Sequence, residues 1–459
     1  MDLDDIIYMV ILLFCIGFGT IYREIKSTEQ KKWVGSGLGV LIILIVSGYH
    51  IWHPICTFLI NAAIILILPK SYSHLISFGF SFLYLLFFRT TLYFGIPYPP
   101  THTNMIQMIM TLKLAGLGFE VNMSYLNRKK GTSEEWVGEE DLTFLDVFHY
   151  TFNYIGLSTG PYYRYRTHKD FFNQPFHNYV SCNQETMKKL VVVPMFVIMF
   201  LGATYFWPLS YAQSDEFYAY RSWLYRLWYT WPTFLIFRLR LYIGMILSEC
   251  ICTMAGLGAY PQLCKAKPGE GPTESFKQMN AMAKNPALCK TEQYDFETIH
   301  NVNPYEADFC TTFRNGIKNW NICVQYWFAV NVYKRFPNKR LRTVATMVLS
   351  AYWHGVYTGH YVCLGLAAFY LAIEDVYIKL FIKGNLGNSL KIWEWIIWFL
   401  KMQAFSYLSM AFVLLSLSDI HRYYASCYYI GFVGAALMYA LGLKLLKNKR
   451  LKDKDIKQN

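Results

Sequence analysis

The sequence predicts an all-α membrane protein that crosses the bilayer about 11 times. Of its 459 residues, 54% are hydrophobic and only 16% are charged, whereas an ordinary soluble domain has about 25% charged residues. The apolar residues fall into runs that approach the ~20 residues an α-helix needs to span a membrane. No polar block is long enough to build its own core, so we expect one membrane domain over residues 1–459.

Basic residues predict the orientation of the chain. No basic segment precedes the first apolar run, residues 6–22, so we expect a retained span and not a cleaved signal. Cationic loops favour the cytosolic side of a membrane. Four basic residues follow this run directly: Arg23, Lys26, Lys31 and Lys32. The N-terminus is therefore predicted to be lumenal. The basic tail, residues 447–459, is predicted to be cytosolic, which requires an odd number of crossings.

The remaining segments follow in order. Residues 104–121 are amphipathic and predict either a tilted span or an interfacial helix. Residues 256–308 are polar and predict a cytosolic, partly re-entrant loop, and residues 309–333 predict a semi-polar helix. Residues 142–165 are aromatic, only partly apolar and helical in pattern. Spans are predicted over residues 33–52, 53–68, 73–96, 190–209, 223–247, 341–373, 393–417 and 424–446.

Charge and cysteine content exclude several classes of function. The net charge of +13 does not predict nucleic acid binding, because the basic residues lie between apolar runs and in the tail. Such clusters suit anionic lipid headgroups or a phosphorylated substrate. The 11 cysteines include no CxxC pair, which argues against a disulfide framework and a zinc site. Neither HExxH nor a P-loop is present, so metal and nucleotide chemistry are not predicted.

A histidine lies near the middle of the apolar run 341–373. A titratable ring at membrane depth is costly and usually faces a protein-lined cavity. His354 is therefore either a structural residue bonded to a neighbouring helix or, as an imidazole held away from water, a general base. His360 is its main rival. On a continuous helix it would lie about 600° further around, well apart from His354.

A polar stripe is predicted on the helix over residues 309–333. Arg314, Lys318, Asn321 and Gln325 recur at helical spacing and so share one face. The stripe either faces water at the interface or forms, with His354, the wall of a reaction chamber. A carboxamide such as Asn321 can orient a base or donate to an oxyanion, and both roles remain open.

Residues 156–160 match GxSxG, the serine-hydrolase motif, around Ser158. That motif requires a strand, a turn and a helix on an α/β sheet. Here it follows a helical pattern and precedes Pro161, so we expect a helix end and not a nucleophile. A serine lipase and a membrane transporter are the alternative classes. Inverted repeats, which are common in transporters, are not detected.

Two short motifs and several longer blocks resemble the membrane-bound O-acyltransferase family. Trp320-Asn321 is followed by LSAYWHG at residues 349–355, and the family combines a buried histidine with an upstream Asn or Asp. The resemblance runs nearly end to end and is closest to the lysophosphatidylinositol acyltransferase branch. Similar blocks surround residue 90 and occupy residues 159–167, 237–244, 258–261, 294–303 and 399–419.

The resemblance implies a many-helix enzyme of the endoplasmic reticulum that remodels phospholipid acyl chains. It implies transfer of a polyunsaturated, arachidonoyl-type chain from acyl-CoA to the sn-2 hydroxyl of lysophosphatidylinositol, giving phosphatidylinositol. By position, His354 is the expected catalytic base and Asn321 its partner. Acyl-CoA is a co-substrate, and neither a cofactor nor a metal is expected, because the thioester supplies the electrophile. Another lysophospholipid headgroup is the alternative, since no residue pattern selects inositol.

Substrate contacts are expected at six further positions: Lys318, Gln325, Tyr352, Trp353, Arg164 and Arg166. Arg164 and Arg166, or Arg238 and Arg240, suit a lipid phosphate. The basic cluster within residues 334–342 suits the phosphates of acyl-CoA, although a topology signal alone would explain it. The expected partners are acyl-CoA, lysophosphatidylinositol and membrane lipids; the sequence does not predict an oligomeric state.

Overall fold

The computed structural model describes residues 3–131, 142–382 and 390–458. Helices dominate these residues. The strands among them are β1 (Tyr260–Pro261) and β2 (Tyr294–Asp295), which pair antiparallel with Tyr260 opposite Asp295. The predicted all-α class is therefore confirmed.

Twelve helices of the described residues precede β1, with short 3₁₀ turns between some of them. They are α1 (Leu3–Glu24), α2 (Thr28–Ser47), α3 (Trp52–Ile67), α4 (Ser73–Arg89), α5 (Thr101–Lys129), α6 (Phe144–Phe152), α7 (Tyr165–Asn173), α8 (Cys182–Leu190), α9 (Val193–Phe206), α10 (Leu209–Gln213), α11 (Asp215–Tyr220) and α12 (Trp223–Ala255).

The helices after β1 are shorter at first and then long again. They are α13 (Phe276–Ala283), α14 (Pro286–Thr291), α15 (Pro304–Phe309), α16 (Phe313–Lys318), α17 (Ile322–Phe328), α18 (Arg342–His354), α19 (Thr358–Tyr377), α20 (Leu390–Leu414), α21 (Leu417–Ser426) and α22 (Ile430–Gln458).

Six helical segments in the described part of the chain are long and apolar enough to cross a membrane, which makes this a multi-pass membrane protein. They are Asp5–Glu24, Thr28–Ile67, Cys182–Gln213, Thr358–Leu380, Glu394–Leu414 and Ile430–Lys449. The predicted count of about 11 crossings and the predicted orientation of the termini stay predictions.

The contacts divide the chain into two compact units. Unit 1 comprises Met1–Pro194, Ile243–Val302 and Asn321–Arg335. Unit 2 comprises Met195–Tyr242, Asn303–Trp320 and Phe336–Asn459. Each unit is described below by itself, and the single domain over residues 1–459 stays a prediction.

Helix α5 is the centre of unit 1. Its residues from Thr111 to Val121 are all buried, so the interfacial alternative is wrong, and the tilted span stays a prediction. The polar side chains that made the segment look amphipathic bond to protein instead of water. Gln107 Nε2 donates to Thr57 Oγ1 at 2.6 Å, and Lys113 Nζ donates to the carbonyl of Tyr150 at 3.2 Å. Burying these two nitrogen atoms is tolerated because each has an acceptor.

The helical pattern predicted over residues 142–165 is only partly present in the structure. Helix α6 ends at Phe152, and residues 153–164 form a buried irregular segment of unit 1. Irregular backbone at membrane depth is tolerated only inside protein, and here its N–H groups find acceptors. Tyr154 N–H donates to the carbonyl of Gly35 at 3.0 Å, and Ile155 N–H donates to Asn153 Oδ1 at 3.0 Å.

The GxSxG match lies in this same irregular segment. Among the described residues no strand precedes Ser158, because β1 and β2 both follow it in the sequence. The prediction that the hydrolase motif lacks its structural context is confirmed. Ser158 lies in the loop between α6 and α7, however, and not at a helix end.

Unit 2 contains the break in the predicted span over residues 341–373. Helix α18 ends at His354, and α19 begins at Thr358. The backbone is extended at Gly355, with φ 170° and ψ 178°, and a Cβ on this residue would lie 2.5 Å from Nδ1 of His360. The long continuous helix predicted from hydropathy is therefore wrong, and His354 is at a helix end.

The predicted helix over residues 309–333 is broken as well. Helix α16 ends at Lys318 in unit 2, whereas α17 begins at Ile322 in unit 1. Between them Asn321 adopts left-handed backbone angles, φ 53° and ψ 51°. A continuous polar stripe from Arg314 to Gln325 is therefore wrong.

Candidate active site

His354 is the last residue of α18 and is half-buried in unit 2. Its ring packs 4.8 Å from that of Trp353 and meets the ring of Phe412 edge-on, with centroids 5.2 Å apart. Because His354 is the last residue of α18, its imidazole lies at the end of the helix and not along its side. It projects where the backbone leaves the helix, among aromatic rings.

His360 lies close to this ring, contrary to the prediction from helical geometry. The two imidazole centroids are 6.2 Å apart, and Phe412 also contacts His360 at 4.5 Å. The turn at Gly355 brings the two histidines together, because α19 folds back after the break. His360 is buried and therefore belongs to the surroundings of His354.

Aromatic rings connect His354 to Trp320 within unit 2. Phe412 contacts Phe237 at 5.2 Å, and Phe237 stacks on Trp320 with centroids 6.2 Å apart. Trp320 also contacts Tyr242 at 5.2 Å. Trp320 is the residue before Asn321, so a packed row of rings ends at the residue that precedes the predicted catalytic partner.

Asn321 itself belongs to unit 1, where it precedes the first turn of α17. The left-handed region costs a residue with a Cβ about 1–2 kcal/mol, and Asn is among the few that enter it routinely. Its side chain makes no capping hydrogen bond to α17. Because Asn321 and His354 belong to different units, their pairing stays a prediction.

Arg164 and Arg166, at the start of α7 in unit 1, both lie beside carboxylates. Nε of Arg164 is 3.4 Å from Oε2 of Glu120, and both side chains are almost fully buried. Nε of Arg166 is 3.6 Å from Oδ2 of Asp170, and its guanidinium lies 4.4 Å from the ring centre of Phe276. The expected contact with a lipid phosphate stays a prediction for both.

The other predicted contact residues are spread over both units. In unit 2, Lys318 is exposed at the end of α16, while Tyr352 is half-buried and Trp353 buried in α18. In unit 1, Gln325 is half-buried in α17. The role of each in substrate binding stays a prediction.

Arg238, the alternative phosphate contact, pairs with an acid in unit 2. Its Nη1 is 3.4 Å from Oδ1 of Asp308, which also accepts the hydroxyl of Tyr242 at 2.8 Å. Lys401 donates to the carbonyl of the same Asp308 at 2.7 Å. The charges of α12 and α20 thus hold the end of α15 in place.

Two residues near Asn321 were missed by the sequence analysis. Asn301 and Glu249 are both buried. Asn301 bonds to the first turn of α17, and Glu249 bonds to the backbone of Asn301. The sequence contained a feature that could have pointed to each of these two residues. Glu249 is an acid inside an apolar run, and Asn301 lies in the block of residues 294–303 that resembles the family.

Metal binding has no evident site in the described ranges. No group of three His, Cys, Asp or Glu side chains within residues 3–131, 142–382 and 390–458 is arranged to hold an ion.

The chain is a mostly helical, multi-pass membrane protein. The sequence profile of the membrane-bound O-acyltransferase family matches residues 124–417. The chain belongs to this family.

Several relatives are similar to this chain over nearly their whole length. A Drosophila melanogaster protein named membrane-bound acylglycerophosphatidylinositol O-acyltransferase frj is 44% identical, over 98% of this chain and 94% of its own length. The Xenopus laevis protein of that name, mboat7, is 38% identical over 98% and 96% of the two chains. Human MBOAT7, with the same descriptive name, is 37% identical over 97% and 94%.

Proposed function

We propose that the protein is a lysophosphatidylinositol acyltransferase, which moves a fatty acyl group from acyl-CoA to the sn-2 hydroxyl of lysophosphatidylinositol. The observation that carries this proposal is the similarity over nearly the whole chain to relatives named for acylation of acylglycerophosphatidylinositol. The half-buried His354 at a break between two helices supports it, since acyl transfer to an alcohol needs a positioned base.

In the proposed reaction His354 accepts the proton of the sn-2 hydroxyl as its oxygen attacks the thioester carbonyl. The new ester C–O bond forms, the C–S bond breaks, and the departing CoA sulfur takes the proton back from the imidazolium. Asn321 either orients the base or donates its amide N–H to the oxyanion, where one donor contributes about 10²–10³-fold. We propose that no metal or cofactor takes part.

The proposal extends to substrate contacts and location. Acyl-CoA and lysophosphatidylinositol bind near the two residues, with contacts from Lys318, Gln325, Tyr352, Trp353 and the arginines Arg164 and Arg166. The protein resides in the endoplasmic reticulum membrane with a lumenal N-terminus and a cytosolic C-terminus. Polyunsaturated, arachidonoyl-type chains are its preferred donors.

A substrate panel tests this function. The protein purified into lipid nanodiscs is given lysophospholipids that differ only in headgroup, each with saturated and arachidonoyl acyl-CoA, and products are measured by mass spectrometry. We expect the highest kcat/KM for lysophosphatidylinositol with arachidonoyl-CoA. A higher value for another headgroup would replace the inositol assignment. Ion or solute flux without acyl transfer would favour a transporter instead.

A further inference from the structure

The first turn of α17 is capped by a residue from another part of unit 1. A helix leaves its first N–H groups without intrahelical partners, and an N-cap Asn ordinarily accepts one of them with its own side-chain oxygen. Asn321 holds the N-cap position but makes no such bond. Instead, Ile322 N–H donates to the carbonyl of Asn301 at 2.7 Å, and Cys323 N–H donates to Asn301 Oδ1 at 3.2 Å.

Asn301 is itself held by a buried acid. Oε1 of Glu249, on α12, accepts the N–H groups of Asn301 at 2.7 Å and of Val302 at 3.0 Å. The other oxygen of Glu249 bonds to Nζ of Lys189. Asn301 is 1% exposed and Glu249 is 3% exposed, so water does not replace these bonds.

We propose that Asn301 and Glu249 are positioning residues for acyl transfer, acting through Asn321. Asn301 takes over the capping of α17, which leaves the carboxamide of Asn321 available to the reaction and holds its backbone in the left-handed region. Glu249 fixes Asn301 in place. This inference rests on the proposed function, in which Asn321 is the partner of the catalytic base.

Competition between two acceptors explains why the loss of Asn301 should act on catalysis. Without its Oδ1, the buried N–H of Cys323 loses its acceptor. Asn321, at the N-cap, carries a side chain of the type that can replace it. An Asn at an N-cap readily accepts such a bond. The carboxamide would then turn toward α17 and away from the reacting groups, although Asn321 is still present.

The test compares Asn301→Ala with Asn301→Asp. Alanine removes the acceptor for Cys323 N–H, and aspartate keeps an oxygen at that place. Because displacement of a reacting group by ~1 Å costs about 100-fold, we expect Asn301→Ala to lower kcat by about 10–100-fold with little change in KM for acyl-CoA. Asn301→Asp should recover most of the lost kcat. Glu249→Gln should give an intermediate loss of kcat.

Asn122→Ala is the matched control. Asn122 is 2% exposed in the same unit, and its amide donates to the carbonyls of Lys70 at 2.8 Å and Ser71 at 3.3 Å. Its loss should lower the melting temperature as Asn301→Ala does, but kcat per folded molecule should stay within about twofold of the parent. An equal loss of kcat in both variants would reduce Asn301 to a structural residue and overturn the inference.

A double variant separates this inference from the proposed function. In an Asn321→Ala background, with residual turnover followed over long incubations, adding Asn301→Ala should lower kcat by less than about twofold, because residues that act through one another are not additive. The same fold-loss in both backgrounds would overturn the inference and leave the role of Asn321 intact. Full activity of Asn321→Ala alone would instead refute the proposed role of Asn321.

Discussion

At the residue scale, the break after His354 depends on a single glycine. Gly355 has no side chain where His360 approaches, and a Cβ there would lie 2.5 Å from Nδ1 of that histidine. Both imidazoles share Phe412 as a neighbour. The position of the proposed base is therefore set by how closely α19 returns to the end of α18.

Gly355→Ala should move one of the two rings. Overpacking a filled site costs about 1–3 kcal/mol, and we expect lower thermal stability together with a loss of kcat of at least about 10-fold. Gly365→Ala is the control, because Gly365 lies within the neighbouring helix α19 and a Cβ there would meet nothing within 4 Å. It should be neutral or slightly stabilising, since alanine is favoured over glycine in a helix. Equal activity of the two variants would contradict this account of the break.

The pair of Glu297 and His300, in the polar segment of unit 1, gives the stability of the fold a pH dependence. Nδ1 of His300 is 3.2 Å from Oε2 of Glu297. The hydrogen bond to Glu297 raises the pKa of His300, and the same bond lowers the pKa of Glu297. The folded protein thus binds the histidine proton more tightly than the unfolded chain does. It also binds the carboxyl proton less tightly.

The stabilisation by this pair is complete below the ordinary histidine pKa of about 6.5 and is lost as pH rises through the raised value. It is also lost at low pH, as the pH falls through the lowered pKa of Glu297. Since the side chains are 28% and 51% exposed, the effect should not exceed about 1 kcal/mol.

His300→Gln should therefore lower the free energy of unfolding at about pH 5.5 and have little effect at about pH 8.5. Unfolding in denaturant at both pH values measures the difference. A deficit that is equal at the two pH values would mean that the pair does not titrate as described.

At the element scale, a buried and a half-buried carboxylate from other helices anchor the starts of short helices. Glu120 accepts the N–H of Tyr165 at 3.0 Å, at the beginning of α7 in unit 1. Glu374 accepts the N–H groups of Phe313 and Arg314, the latter at 3.0 Å, at the beginning of α16 in unit 2. A carboxylate satisfies orphan N–H groups and also favours the positive end of the helix dipole.

Glu374→Ala should destabilise unit 2, because two N–H groups would lose their acceptor. We expect a loss of about 1–3 kcal/mol, with part of it recovered by Glu374→Gln. The neighbouring Asp375→Ala is a control, since its pair with Arg314 is about half exposed, with side chains 50% and 41% accessible, and such pairs contribute about 0–1 kcal/mol. Thermal unfolding of the purified variants measures both. A larger loss for Asp375→Ala would refute this view of how α16 is held.

The same scale shows what hydropathy cannot predict. His360 lies against the break at Gly355, and Asn301 caps the helix that follows the break at Asn321. Asn301 and Glu374, which anchors the start of α16, both lie in other segments than the helices they limit. Helical periodicity assumes that the backbone continues unless a breaker interrupts it. It does not include hydrogen-bond acceptors from other segments, which can cap a helix and so set where it begins. The interfacial position predicted for α5 failed for a related reason. The sequence shows that Gln107 is polar, but not whether it bonds to water or to Thr57.

At the scale of the whole molecule, the composition and the apolar runs were sufficient to predict an all-α membrane protein. Most predicted spans correspond to helices of the structure, among them α1, α4, α12 and α20. The candidate residues were found by resemblance to a family, because a lone histidine or asparagine carries little information by itself. Which side chains are buried, where the helices end and which ion pairs form could be seen only in the structure.

Topology is the whole-molecule prediction that remains to be measured. In sealed microsomes, a protease added outside should remove an epitope placed after the basic tail and spare one placed before α1, because basic segments favour the cytosol. The opposite pattern would reverse the predicted orientation. Cleavage of both tags would indicate an even number of crossings.

The most direct test of the account is the turnover of His354→Gln with lysophosphatidylinositol and acyl-CoA at saturating concentrations, per folded molecule. His421→Gln is the control, because His421 is an exposed histidine of the same unit. We expect His354→Gln to lower kcat by about 10²–10⁴-fold with thermal stability near that of the control. A kcat within about threefold of the parent would contradict the assignment of His354 as the base.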